Sequence, residues 1–162
     1  MIPRLNGRCL IKLHYAELGF KRSSRKCTPV NKIFFKVGNK LACGGGDNKI
    51  SIWEFNDNDL TGKFELKRLK MLAGHTGPVN CIQFYENGRL LATGSNDKAI
   101  CIWDSDGHLI RQNQVHSAPV LALHWAKNGI YSGGSDFLLK YSFFNCTNIE
   151  EPAELCWLVS NR

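Results

Sequence analysis

Two stretches of this 162-residue chain share one grammar: LACGGGDNKISIWEF, Leu41 to Phe55, and LLATGSNDKAICIWD, Leu90 to Asp104. The echo constrains the fold more than any single residue does. A unit repeated every few tens of residues is one supersecondary element that cannot bury its apolar faces alone, so it must stack on its neighbours. The turn aspartates fix the register. Asp47, Asp97 and Asp136, the last in YSGGSD, stand 50 and 39 residues apart. The second interval is an ordinary repeat length and the first contains an insertion.

Each unit opens on a Pro-Val step leading an apolar run of period two: Pro29-Val30 in PVNKIFF, Pro78-Val79 in PVNCIQF and Pro119-Val120 in PVLALHW. Alternation of this kind predicts a half-buried strand. Short Gly or Asn turns follow (VGN, ENG, KNG), then a second strand closing on Cys43-Gly44, Thr93-Gly94 or Ser132-Gly133. After the aspartate comes a third strand, ISIW, ICIW or LKYS. Fourth strands are expected at Lys63 to Leu69, His108 to Gln112 and Glu154 to Val159. The insertion FNDNDLTGK, Phe55 to Lys63, has polar loop composition and is expected to project as a loop opposite the turn end.

A Gly-His pair ahead and a tryptophan behind, at a period near forty, make the chain resemble the WD-repeat β-propeller family from about Thr28 onward. The resemblance implies an all-β partial propeller of three four-stranded blades, at about 28–71, 74–114 and 115–160, preceded by a basic arm over 1–27. It also implies a buried hydrogen-bonded set in the second blade: His75, Thr93, Asp97 and Trp103. Imidazole, hydroxyl, carboxylate and indole N–H are each costly to bury unpaired and can satisfy one another. The first blade departs from the pattern, with Lys26 in the histidine position and Cys43 in the hydroxyl position, although Asp47 and Trp53 remain. The third has His116, Ser132 and Asp136, with Ser142 in the tryptophan position. Only the second is complete, so the outer two are expected to be less rigid.

Three blades are too few to close a ring, which takes about four to eight. The expectation is therefore a fragment or truncated product, or a chain whose remaining blades come from a partner or a second copy. Cys9 to Tyr15, CLIKLHY, has the alternation of an outer strand in a closing blade.

Charge is concentrated at one end. Of the formal net charge of +7, residues 1–26 hold +6: seven basic residues against Glu17. KRSSRK, Lys21 to Lys26, is the densest part, and it reads as a solvated leader or as a contact for nucleic acid or a nuclear address. No aromatic residues interleave it and no nucleic-acid motif accompanies it. Seven cysteines show no C-x-x-C pair, and Cys43, Cys81 and Cys101 fall on expected strands as small apolar fillers. A reducing compartment, nucleus or cytoplasm with a lean to the nucleus, is expected. No apolar run approaches a membrane span, so no membrane partner is expected.

No enzyme, cofactor or metal is expected. His75, Thr93 and Asp97 have the residue types of a hydrolase triad, but the same types recur at the same offsets in the third unit, and a catalytic site is not stamped once per repeat. Gly44 to Gly46 is followed by Asp47 and a strand, not by the Lys-Ser/Thr and helix of a phosphate loop. His14, His108 and His124 have no partner evident in the sequence.

What remains is a loop face. The turns after the second strands and the connections before the first strands share one end of the blades, gathering Asn48, Lys49, Thr76, Gly77, Asn96, Lys98, Ser117 and Phe137. These are the candidate partner-binding residues. Any of them also serves as a plain turn residue, whereas an aromatic such as Phe137 after a turn is either core or an exposed anchor. The expected function is a non-enzymatic protein-interaction scaffold. GGGDNKISIW with GHTGPVNCIQF is similar to WD-containing histone chaperones of the histone-regulator and chromatin-assembly-factor type, and DGHLI with PVLALHW to transducin-beta-like corepressor subunits. Both imply histones or a chromatin complex as partner. Two alternatives stand beside this: a nucleic-acid-binding module worked through the basic arm, and a truncated repeat product without independent function.

Overall fold

The computed structural model describes residues 35–37, 39–58, 63–85 and 88–144. The basic arm, Lys26, Val30, the Cys9 to Tyr15 strand and the strand expected at Glu154 to Val159 lie outside the described residues. Among the described residues, eleven strands form three antiparallel sheets in chain order. Sheet one is β1 (Phe35–Val37), β2 (Lys40–Gly44), β3 (Lys49–Asn58) and β4 (Lys63–Ala73). Sheet two is β5 (Val79–Tyr85), β6 (Leu90–Ser95), β7 (Ala99–Asp104) and β8 (Leu109–Gln114). Sheet three pairs β9 (Val120–Ala126), β10 (Gly129–Gly134) and β11 (Leu139–Phe143), with β10 in the middle. Each is a simple meander, and together the sheets form an open, propeller-like array.

The repetition in sequence extends to irregularities of the backbone. The pairing of the third strand with the fourth shifts register between Ile52 and Trp53 in sheet one and between Ile102 and Trp103 in sheet two. Such bulges increase the local twist just ahead of each tryptophan.

One expectation is corrected here. The insertion at Phe55 to Lys63 is not a projecting loop throughout: β3 continues to Asn58 and pairs residue by residue with β4, from Lys49↔Ala73 to Asn58↔Lys63. Polar residues are compatible with this pairing because a two-stranded ribbon satisfies its backbone internally whatever its side chains.

Apolar side chains meet between sheets. Ala42, Ile50, Ile52 and Leu72 of sheet one pack against Val79, Ile82, Phe84, Leu91, Cys101 and Trp103 of sheet two. The opposite face of sheet two gives Cys81, Leu90, Ala92, Ile100 and Ile102 to a second cluster with Val120, Trp125, Ile130 and Phe144. Sheet two is therefore covered on both faces, and every residue of β6 is buried.

Two close approaches lock the stack. A Cβ added at Gly44 would lie 2.7 Å from Val79 Cγ1, and one added at Gly94 would lie 2.7 Å from Val120 Cγ1. The valines that open β5 and β9 thus sit directly over a glycine near the end of the preceding sheet's second strand. No side chain fits there, which is why glycine recurs at this position.

Candidate functional site

Three turns and the loops beside them form one end of the array. At each turn the residue after the aspartate has a left-handed backbone: Asn48 at φ 66°, Lys98 at 72° and Phe137 at 61°. The aspartates hold these turns by accepting from backbone N–H groups two residues on, Lys49 at 3.2 Å, Ala99 at 3.0 Å and Leu138 at 3.2 Å. Carboxylates suit this role because a short acceptor can reach its own chain across a tight turn.

Beneath the second turn lies a closed polar chain. Asp97 Oδ2 is 2.8 Å from His75 Nδ1, His75 Nε2 is 2.8 Å from Thr93 Oγ1, and Trp103 Nε1 donates to Thr93 Oγ1 at 2.9 Å. One arrangement of protons satisfies all four groups. A neutral His75 carries its proton on Nδ1 for the carboxylate, Nε2 accepts from the Thr93 hydroxyl, and that hydroxyl accepts from the indole. Thr76 N–H also donates to Asp97 Oδ2, at 2.9 Å. Gly74 is needed ahead of the histidine because Trp103 Cη2 would stand 2.8 Å from any Cβ there.

Sheet three repeats the network. His116 Nδ1 lies 2.9 Å from both oxygens of Asp136, and its Nε2 lies 2.9 Å from Ser132 Oγ. The indole has no counterpart among the described residues of sheet three. Ser142 occupies that place opposite Ile130, and its Oγ is buried with no partner among the described residues. Sheet one compensates differently, since Trp53 Nε1 donates to Ser51 Oγ at 3.0 Å. Ser51 was not singled out by the repeat pattern, although its place two residues before the tryptophan, on the same face of the strand, could have marked it.

Charge in these networks is held by backbone donors. Burial works against the Asp97 carboxylate, but N–H groups of Ala99 and Thr76 together with His75 outweigh it and hold its pKa below the ordinary value. The same opposition at Asp136, with His116 and the N–H groups of Ser117 and Leu138 prevailing over burial, lowers it to about 2. These carboxylates are locked acceptors and poor proton carriers. Burial pushes the Cys43, Cys81 and Cys101 thiols up to about 12, so none is a nucleophile at neutral pH. Among the described residues no group of His, Cys, Asp and Glu could hold a metal ion.

The candidate binding residues gather as follows. Asn48 Nδ2 donates to the Thr76 carbonyl at 3.1 Å, joining the first turn to the lead-in loop of sheet two. Val115 and His116 N–H both donate to the Lys98 carbonyl at 3.2 Å, joining the second turn to the loop carrying Ser117. Asn96 Oδ1 accepts from Asn80 Nδ2 at 2.7 Å, and the same Nδ2 reaches the Val120 carbonyl at 2.9 Å. Asn80 is thus a bridge to sheet three that sequence reasoning passed over as a plain strand residue. Lys49, Thr76, Asn96 and Ser117 are exposed, Gly77 is half-buried beside the Asn96–Asp97 backbone, and Phe137 is 95% exposed. On the opposite end His108, expected to have no partner, pairs its Nδ1 with Asp104 at 2.9 Å. Four residues separate them across a turn, a closeness that strand periodicity does not reveal.

Residues 66–104 match the family described as WD domain, G-beta repeat. The match begins on β4 and ends on β7, so one sequence unit supplies the outer strand of one sheet and the inner three of the next. Among curated relatives, the F-box-like/WD repeat-containing protein TBL1X of Homo sapiens is 37% identical over 108 residues, 62% of this chain and 19% of that protein. A probable cytosolic iron-sulfur protein assembly protein 1 of Candida glabrata is 43% identical over 68 residues, 41% of this chain and 20% of that one. The mRNA export factor of Xenopus tropicalis is 33% identical over 95 residues, 59% of this chain and 24% of that one. The chain thus spans about a fifth of the length of these relatives. Among solved structures, the crystal structure of the computationally designed Ika8 protein superposes with a TM-score of 0.57 at 24% identity, covering 71% of this chain and 33% of that one.

Proposed function

We propose that this WD40-repeat chain is a non-enzymatic scaffold that docks a protein on its turn-and-loop face through Asn48, Lys49, Thr76, Asn96, Lys98, Ser117 and Phe137. The observation that carries the reading is Phe137. A phenylalanine at φ 61° and 95% exposure combines a disfavoured backbone for a bulky residue with an aromatic ring left in water. Neither feature helps the isolated fold, and both suit an anchor presented to a partner. Lys49 and Lys98 on neighbouring turns add positive charge, which favours a partner with an acidic surface. The buried His–Asp networks below serve to hold the turns in place.

The finer setting is chromatin, with histones or a chromatin complex as the docked partner; the sequence likeness to corepressor subunits supports it. A nucleic-acid contact through residues 1–26 is the second reading, favoured by the +6 charge of that arm. Replacing Lys49, Lys98 and Phe137 together, with folding followed by circular dichroism, tests the first against the second. Loss of a protein partner with the fold intact supports the turn face. Retention of every partner by the triple variant, with loss on deleting residues 1–26 and a steep salt dependence, supports the arm instead. Phe137→Asn, the residue type that sheet one uses at this turn, should keep or raise stability by up to about 1 kcal/mol while weakening capture.

A further inference from the structure

We infer that the outer edge of β4 takes up an extended acidic segment of a partner protein as an added strand, with one apolar side chain of that segment entering the cleft between sheets one and two. Among the described residues β4 pairs with β3 alone, so its other edge presents backbone donors and acceptors to a further strand. Lys67, Arg68, Leu69, Lys70 and Met71 are all exposed, three cations and no acid in five consecutive residues. The outer strand of sheet two is built differently: β8 has six residues against eleven in β4, and it carries one cation, Arg111. Lysines along an edge repel a second copy of the same strand and attract a strand of opposite charge. Leu69 at 36% and Met71 at 47% exposure set apolar surface between those charges, which repulsion alone does not call for.

A cleft adjoins this edge. Cross-strand register sets Lys67 in a row with Lys40 and Glu54, and Lys70 in a row with Ala42 and Ile52, so both lysines lie on the face turned toward sheet two. A cavity of about 140 Å³ opens there between the two sheets, with walls from Leu69, Leu72, Phe84 and Leu91 and with Lys40 and Lys70 beside them. That volume suits about one benzene-sized group. Alternate side chains of a strand added to β4 point to the same face, so the segment that fits has carboxylates along it and one large apolar residue among them. The acids around the cleft are already engaged: Asp106 Oδ1 lies 3.5 Å from Lys70 Nζ, Asp104 accepts from His108 N–H at 2.8 Å, and Glu54 accepts from Asn39 Nδ2 at 3.0 Å. The Lys70–Asp106 pair is exposed and readily exchanged. Arg68 lies over the Trp53 ring, 5.8 Å from its centroid, an arrangement that leaves guanidinium N–H groups to grip a carboxylate.

The test is fluorescence anisotropy with the full chain and a labelled synthetic peptide of about ten residues, with glutamate at alternate positions, a central leucine on the same face and valine or threonine between. Saturable binding is expected. Lys67→Glu combined with Arg68→Glu, both at exposed positions, should weaken it by about 30-fold or more with the circular dichroism of wild type. Replacing the peptide's leucine with alanine should weaken binding by about 10-fold. Pairing along one strand edge uses every second N–H, so of two peptides N-methylated on alternate sets of residues, one should lose binding and the other keep it. The Lys49, Lys98 and Phe137 triple variant should bind as wild type does, which separates this edge from the turn face. Absence of saturable binding, an unchanged affinity in the double variant or with the alanine peptide, equal behaviour of the two N-methylated peptides, or loss in the triple variant would each overturn the proposal. So would a uridine oligonucleotide that binds more tightly than the peptide and depends on the same two residues, which would assign the edge to nucleic acid.

Discussion

Asp47, Asp97 and Asp136 occupy one position in the repeat but carry different loads. Asp97 and Asp136 each accept from a buried imidazole and two backbone N–H groups, whereas Asp47 is exposed and accepts from the N–H of Lys49. Removing either of the first two strands a histidine, so Asp97→Ala and Asp136→Ala should each cost about 1 to 3 kcal/mol and Asp47→Ala less. The sign of the pH effect follows from Asp136, whose folded pKa of about 2 lies below its ordinary 3.8. Its contribution is complete above the ordinary value and is lost as pH falls through the folded one. Urea midpoints should therefore drop between about pH 4 and about pH 2, and Asp136→Asn should flatten that part of the profile.

The value of a strand residue depends on which sheet holds it. Ile100, at 4% exposure between sheets two and three, should cost about 2 to 5 kcal/mol when cut to alanine. Leu139 occupies the same repeat position at 50% exposure, and in the dilute single chain its alanine variant should cost well under that; thermal melts of both variants check the contrast. Strand order and the polar set of sheet two were legible in the sequence because alternation and turn chemistry are local. Ser51, Asn80 and the bonds from Trp125 to the Gln83 carbonyl and side chain were not, because they depend on which residues a neighbouring strand or sheet brings within reach. The extended β3–β4 ribbon was misread as a loop for a related reason. Polar composition suggests a loop, but strand pairing is a backbone matter that polar side chains do not forbid.

Across the whole molecule protection should fall outward from the centre. Sheet two is covered on both faces, so amide exchange should be slowest at Leu90–Ser95 and Ala99–Asp104 and faster along Leu139–Phe143. A profile with β11 as protected as β6 would show that sheet three is covered in solution, and its dilution dependence would tell whether a second chain covers it.

The offset between sequence unit and sheet has a genetic consequence. Residues 66–104 begin on the outermost strand of one sheet and finish on the third strand of the next. A tandem duplication cut at those borders would insert material that already carries its own seam: the copied outer strand finishes the sheet left open upstream, and the copied inner strands await the outer strand downstream. Such an array can lengthen or shorten by whole units, with each unit tied to the next through a sheet that the two share.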